Sequence, residues 1–148
     1  MSEQSRITFI GDDPEAKEDL AMGIEKAFRS YFDEVEAVQN AEADVFKDED
    51  NVLKAKEELD KARDGIILQF KDNPKELGAN EAVREAEILK RCSKQVDVLN
   101  LTKASKLLAE ARLREAKNRL RLASINTDYI KEQVSLMKSA MALSTTKE

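Results

Sequence analysis

Residues 24–66 decide the fold, and in blocks of seven they read IEKAFRS YFDEVEA VQNAEAD VFKDEDN VLKAKEE LDKARDG I. Every block begins with an apolar residue, and these residues are Ile24, Tyr31, Val38, Val45, Val52, Leu59 and Ile66. A strict seven-residue apolar repeat keeps one stripe of a helix against a partner only if the two helices supercoil around each other. The repeat therefore predicts a coiled-coil seam.

The helix that carries this seam is predicted over residues 12–70. Asp12 and Asp13 supply a cap and negative charge for the helix start, and Pro14 is favourable in a first turn. No strong helix breaker follows before Pro74, because an isolated glycine costs only about 1 kcal/mol relative to alanine. One long, uninterrupted helix is therefore expected.

A turn is predicted over residues 71–79. Pro74 pushes the residue before it out of helical geometry, Gly78 allows a left-handed turn, and Asn80 can cap a following helix. The slip in apolar phase near residues 100–108 predicts a local change of winding, or a kink, in that second helix.

The second helix is predicted over residues 80–143, which contain no proline or glycine. Two long helices joined by a short turn predict an all-α fold, namely an antiparallel helical hairpin over residues 12–143. Residues 144–148 are expected to form a disordered tail.

The second helix has two apolar faces. One face is a seam from Ala109 to Met141, whose residues are alternately four and three positions apart. The other is a row of residues seven positions apart, from Leu101 to Leu143, in which only Glu115 is not apolar. A helix that is apolar on two sides normally lies between neighbours, although single leucines on a solvated helix are ordinary. The row predicts a homodimer or higher oligomer, most simply a four-helix bundle. Its interface residues are Leu101, Leu108, Leu122, Ile125, Tyr129, Leu136 and Leu143.

Charged residues are separated along the chain. Residues 29–60 contain eleven acidic and four basic residues, whereas residues 90–121 contain ten basic and three acidic residues. In a hairpin that turns near residue 75 these two windows lie side by side. Ion pairing across the hairpin is the favoured interpretation, because it would fix the antiparallel register.

The basic window also has a functional interpretation, as a track for the phosphates of a nucleic acid. The candidate contacts are Arg112, Arg114, Lys117, Arg119 and Arg121, of which Arg114 and Arg121 point away from the seam. The window lacks the aromatic residues that would stack on single strands. A third alternative is that the acidic helix imitates DNA and inhibits a host DNA-processing enzyme.

The chain lacks histidine and has a single cysteine, two residue types that often carry catalysis. The chain has no histidine, which removes the commonest general base and metal ligand. Cys92 lies in an apolar series with Leu89 and Val96, so a small buried hydrophobe is favoured over a nucleophile. We therefore predict a protein that is not an enzyme and that binds no cofactor, metal or small molecule.

Residues 1–11 form a predicted β-like arm that contains Ile7, Phe9 and Ile10. A lone strand is unstable, so this arm must dock on the helices, pair with a second copy or contact a partner protein. No signal region precedes it, and no run approaches the roughly 20 apolar residues of a membrane span. A cytoplasmic protein that does not bind membranes is expected.

Residues 73–86 read NPKELGANEAVREA. This turn segment resembles segments of small all-helical proteins of phages and prophages that are encoded near replication and recombination genes. The resemblance is confined to the turn and carries no catalytic residues. It implies a small accessory or regulatory protein in the host cytoplasm that works by binding, either in phage DNA metabolism or in modulating a host protein.

Overall fold

The structure, a computed structural model, describes residues 14–146. About 92% of it is helical, in three α-helices with no strand among the described residues. Helix α1 spans Pro14–Gln69, α2 spans Glu81–Arg91 and α3 spans Ser93–Thr145. A short 3₁₀ turn, Pro74–Glu76, lies between α1 and α2. The predicted all-α fold is confirmed.

Helix α1 is one helix of 56 residues and carries the predicted seam. None of the seven apolar seam residues is exposed: Val38 and Val52 are buried, and the other five are half-buried. Gly23 and Gly65 lie within α1 without interrupting it, and a Cβ added at either position would have no atom within 4 Å.

Three predictions fall partly or wholly outside the described residues. The arm over residues 1–11, with Ile7, Phe9 and Ile10, lies wholly outside them, and so does the helix start at residue 12. Of the expected tail, Ser144 and Thr145 belong to α3, whereas residues 147 and 148 are not described.

The link between α1 and α2 contains the cap that the sequence predicts. The Asn80 Oδ1 atom accepts a hydrogen bond from the Val83 backbone N–H at 2.9 Å, which satisfies a free donor at the start of α2. Earlier in the link, Asn73 Nδ2 donates to Glu76 Oε1 at 2.8 Å across the 3₁₀ turn. The prediction of a cap at Asn80 is confirmed.

Gly78 is required for a different reason from the predicted one. The sequence predicts a left-handed conformation there, but no described residue has a positive φ. A Cβ at Gly78 would lie 2.6 Å from Val83 Cγ1 and 2.9 Å from the Arg84 backbone nitrogen. The glycine therefore allows the link to approach the first turn of α2, where Arg84 Nε also donates to the Gly78 carbonyl oxygen.

The predicted second helix, residues 80–143, is two helices in the structure. It is interrupted at Cys92, which has a φ of −92° and a ψ of 17°. Hydrogen bonds from Cys92 N to Ile88 O and from Val96 N to Cys92 O, both 3.0 Å, continue across the interruption. The stretch of residues 100–108, where a change of winding was expected, lies inside α3.

The described chain divides into two compact units. Unit 1 comprises Met1–Val38 and Ala116–Glu148, and unit 2 comprises Gln39–Glu115. Unit 1 therefore contains the first part of α1 with the second half of α3, and unit 2 contains the link, α2 and the remaining parts of α1 and α3.

Unit 2 has two clusters of buried side chains. Leu59 packs against both of them. One cluster is formed by Val52, Ala55 and Leu99, and the other by Leu77, Ile88 and Cys92. Cys92 is only 1% exposed, which confirms its interpretation as a small buried hydrophobe.

Polar contacts join α1 to the other helices of unit 2. The Arg63 guanidinium pairs with the Glu85 carboxylate, and Lys106 Nζ lies 3.4 Å from Glu49 Oε1. Ser105 donates a hydrogen bond of 2.9 Å to Asp48. Residue numbers fall on α1 as they rise on the partner helices, so the paired segments of this unit run in opposite directions.

Unit 1 buries smaller side chains. Its buried apolar residues are Ala27, Val38 and Ala116. Thr127 is also buried, and its hydroxyl donates to the Ala123 carbonyl oxygen at 2.9 Å, which satisfies the polar group. In this unit Arg119 Nε lies 3.2 Å from Glu34 Oε2, which pairs α3 with α1.

Candidate functional site

The predicted interface row on α3 is open to solvent. All seven of its residues are exposed, from 54% at Leu108 to 71% at Leu136. Leu101 and Leu108 belong to unit 2, and the other five belong to unit 1. Those five follow spacings of three, four and seven residues from Leu122 to Leu143, so they share one side of α3. Unit 1 therefore presents an apolar stripe that its own helices do not cover.

The opposite seam of α3 contrasts with this row. Its residues at Ala109, Ala116 and Thr127 are buried, and only Met141, at its end, is exposed. The two apolar faces predicted for α3 are therefore one covered face and one uncovered face. Within the uncovered row, the Tyr129 hydroxyl accepts a hydrogen bond from Gln133 Nε2 at 2.8 Å and can still donate one.

A second exposed apolar row lies on α1, and sequence analysis does not identify it. Phe32, Phe46, Leu53 and Ile67 are each at least half exposed. Each of them directly follows a residue of the α1 seam. This position in the sequence could have identified the row. A residue one step from a seam residue lies about 100° around the helix from it, so its side chain lies outside the stripe that contacts the partner helix.

Unit 1 has a groove between α1 and α3, which we call the unit 1 groove. It has a volume of about 340 Å³ and is lined by Ile24, Phe28, Ile130, Lys131, Val134, Ser135 and Lys138. A smaller hollow of about 160 Å³ adjoins it, since both include Phe28 and Lys131, and it adds Tyr31, Phe32, Ser124, Thr127 and Asp128. The rings of Tyr31 and Phe32 meet edge to face at 5.8 Å.

Unit 2 has an open cleft of about 410 Å³ whose charged lining residues are Lys54, Glu58 and Lys94. A hydrogen bond from Lys54 to the Asp50 carboxylate, with an N–O distance of 2.6 Å, raises the pKa of the Lys54 ammonium, and the charges of Asp50 and Glu57 add to this effect. This lysine stays protonated, so it is not available as a base.

The five candidate nucleic-acid contacts are in different environments. Arg119 pairs with Glu34, and Lys117 is likewise engaged in an interaction. Arg112, Arg114 and Arg121 are exposed and have no ion pair with another described residue. Three of the five guanidinium or ammonium groups are thus exposed and have no ion pair among the described residues.

The fold and these surfaces define an all-α protein with apolar rows open to solvent. Residues 14–146 contain no group of three or more side chains placed to hold a metal ion. None of the described helices has a stretch that is apolar enough to span a bilayer. Comparison with known protein families, with characterised proteins and with solved structures found no match.

Proposed function

We propose that the chain is a non-enzymatic coiled-coil interaction protein, which forms a homodimer through the α3 row and binds another protein. One observation carries the proposal: seven large apolar residues at helical spacing are all more than half exposed in a single chain. Burying one such side chain stabilises a protein by about 1.5–3 kcal/mol. A second copy, which presents the same stripe, is the simplest partner that buries the row.

The proposed architecture is an antiparallel helical hairpin that doubles into a four-helix bundle. Its support is the direction of the contacts in unit 2, where Arg63 pairs with Glu85 and Lys106 pairs with Glu49. The residue numbers in these pairs add up to 148 and 155, close to the 150 expected for a turn near residue 75.

The proposed setting is the host cytoplasm and phage DNA metabolism. It rests on the resemblance of residues 73–86 to phage and prophage proteins. The gene neighbourhood tests it directly: replication and recombination genes beside this one would support the setting, and a neighbourhood without phage genes would contradict it.

Sedimentation equilibrium at micromolar concentration tests the dimer. We expect the wild-type chain to sediment as a dimer and Leu122→Glu as a monomer, because an unpaired buried charge costs about 3 kcal/mol or more, or roughly 100-fold in Kd. Leu53→Glu is the matched control, since Leu53 is 56% exposed but lies on α1, outside the row. This control is expected to remain a dimer.

Two outcomes would contradict the proposed dimer. One is a wild-type chain that stays monomeric throughout the concentration range. The other is equal dissociation of Leu122→Glu and Leu53→Glu, which would show that any added charge disrupts the assembly. Circular dichroism of each variant confirms that its helices form.

A second candidate function is nucleic-acid binding, which Arg112, Arg114 and Arg121 favour because they are exposed and form no ion pair with another described residue. Fluorescence anisotropy with labelled single- and double-stranded DNA tests it over a salt series. Phosphate contacts predict that log K falls linearly with log salt concentration. The Arg114→Glu/Arg121→Glu variant should then lose binding, whereas Lys75→Glu, in the link, should retain it. Absence of binding at low salt would reject this candidate.

A further inference from the structure

The unit 1 groove lies on a different side of α3 from the exposed row. Lys131 lines the groove and is two residues from Tyr129 of the row. At 3.6 residues per turn, two residues correspond to roughly 200° of rotation, so the two surfaces are about 160° apart around α3. A second copy seated on the row would therefore leave the groove open to another partner.

The groove and the hollow beside it share Phe28 and Lys131, so they adjoin along α1 and α3, and we call the two together the unit 1 trough. The residues that line the trough on α3 extend from Ser124 to Lys138. At a rise of about 1.5 Å per residue, this is roughly 21 Å along the helix. A trough of this length can take the apolar face of a helix of about four turns.

The lining of the trough is largely apolar and includes aromatic rings. Ile24 and Val134 contribute aliphatic surface, and Phe28 and Phe32 are 38% and 64% exposed. Exposed aromatic residues in a depression are frequent anchors of protein–protein interfaces. Amphipathic helices dock in apolar grooves through residues that are three, four and seven positions apart. The lining therefore favours the apolar face of a helix as its occupant.

The charges of the trough specify the polar edge of that helix. Lys131 and Lys138 are exposed and lie seven residues apart on the same side of α3, about 10.5 Å along its axis. Lys138 has no ion pair with another described residue, and Lys131 is only loosely paired with Asp128, at an N–O distance of 3.9 Å. Two carboxylates seven residues apart on a docked helix have the same separation as the two lysines. The charges therefore complement an acidic helix.

We propose that the unit 1 trough is the surface through which the chain binds another protein, and that its occupant is an amphipathic helix with acidic residues seven positions apart. This inference rests on the proposed function, since it names the surface and the chemistry of the partner proposed there. The apolar face of the helix packs on Phe28 and Val134, and its carboxylates pair with Lys131 and Lys138. The dimer is not required for this binding.

A displayed library of random helical peptides tests the trough on the full-length chain. The peptides are about 15 residues long, which matches the extent of the trough. We expect the enriched peptides to combine large apolar residues, three or four positions apart, with Asp or Glu seven positions apart. Selection on the Lys131→Glu/Lys138→Glu variant should instead enrich Lys or Arg at the acidic positions, because the charge of the trough is reversed.

Fluorescence anisotropy of an enriched acidic peptide measures its Kd for each variant. Lys131→Glu/Lys138→Glu should weaken binding about tenfold, because two attractive contacts become repulsive. Lys90→Glu/Lys103→Glu is the matched control, since it changes two exposed lysines of unit 2, and it should bind like the wild-type chain. Circular dichroism confirms that the helices of each variant form.

A second pair of variants tests the apolar lining. Phe32→Ala should weaken the peptide about tenfold, because it removes an aromatic anchor from the trough. Phe46→Ala is the matched control, at a phenylalanine of unit 2 that is 71% exposed. Leu122→Glu, in the dimer row, should leave the affinity unchanged, which separates the trough from the dimer.

Three results would overturn the proposal. Enriched peptides that bind all of these variants equally would show that the chain binds proteins through another surface, so the trough would be rejected and the proposed function retained. A selection that enriches no peptide would contradict both. If Lys131→Glu/Lys138→Glu abolishes the dimer and Leu122→Glu does not, the occupant of the trough is a second copy.

Discussion

Unit 1 and unit 2 are built from parts of the same two long helices, yet they bury apolar side chains differently. Unit 2 buries Val52, Leu77, Ile88 and Leu99, and the link and α2 contribute to that core. The largest buried apolar side chain of unit 1 is Val38, and the others are alanines. Large apolar residues of unit 1 line a groove or form the α3 row instead. Unit 2 therefore buries larger apolar side chains than unit 1 does, although both units also leave large apolar residues exposed.

The largest expected effect contrasts two isoleucines, one from each unit. Ile88 is 4% exposed in unit 2, and Ile125 is 56% exposed in the row of unit 1. Ile88→Ala should reduce the free energy of unfolding by about 2–5 kcal/mol, because it leaves a cavity. Ile125→Ala should change it by less than about 0.5 kcal/mol when the chain is monomeric.

Urea unfolding at low protein concentration measures the free energy of unfolding of both isoleucine variants. If Ile88→Ala does not fold, Ile88→Val should still lose about 0.5–1.5 kcal/mol. Equal losses at the two sites would contradict the contrast between the units, because they would mean that Ile125 is buried within its own chain.

The next effect tests the link that completes unit 2. Gly78→Ala would bring a methyl group to 2.9 Å from the Arg84 backbone nitrogen, which cannot move without distorting the first turn of α2. We expect a loss of about 1–3 kcal/mol in the free energy of unfolding. Gly65→Ala is the control, because it adds the same methyl group where no atom lies within 4 Å. A neutral Gly78→Ala would show that the link is loosely packed.

Much of the fold could be predicted from the sequence, because it depends on local chemistry. The seam from Ile24 to Ile66 follows from spacing alone, and the Asn80 cap follows from the bonding capacity of its side chain. The interruption at Cys92 could not be predicted from local signals, since no proline or glycine marks it. Cys92 and Ile88 belong to a cluster that includes Leu77 of the link, and such long-range packing is not visible in sequence spacing.

The two candidate surfaces also differ in whether the sequence alone could predict them. The α3 row is visible in the sequence because six of its seven positions at seven-residue spacing are apolar. The groove beside Phe28 and Lys131 is not visible, since it exists only where α1 and α3 come together. Spacing identifies the face of one helix, but it cannot identify which residues of two helices meet.

Two glycines sharpen the comparison by separating helix propensity from packing. Gly23 lies in unit 1 and Gly65 in unit 2, and a Cβ at either would meet no atom within 4 Å. Each glycine-to-alanine change should raise the free energy of unfolding by about 1 kcal/mol. Equal gains by thermal or urea unfolding would show that the two units differ in packing and not in helix propensity. A loss at Gly23 would show instead that a partner covers this part of α1.

The smallest effects are expected from the ion pairs between helices. Arg119 with Glu34 joins the helices of unit 1, and Arg63 with Glu85 does so in unit 2. Double-mutant cycles on these partly exposed pairs should give coupling energies of about 0.2–1 kcal/mol that decrease with added salt. A coupling energy above about 2 kcal/mol in either unit would mean that charge, and not apolar burial, distinguishes the two units.

Hydrogen exchange of the wild-type chain, measured at high and at low protein concentration, tests the proposed dimer and the difference between the units most directly. We predict that the amides of residues 116–143 become more protected at the higher concentration, because in the proposed dimer a second copy covers the row of unit 1. The amides of residues 52–99 in unit 2 should exchange equally at both concentrations. Concentration-dependent protection confined to unit 2, or none in either unit, would contradict the account.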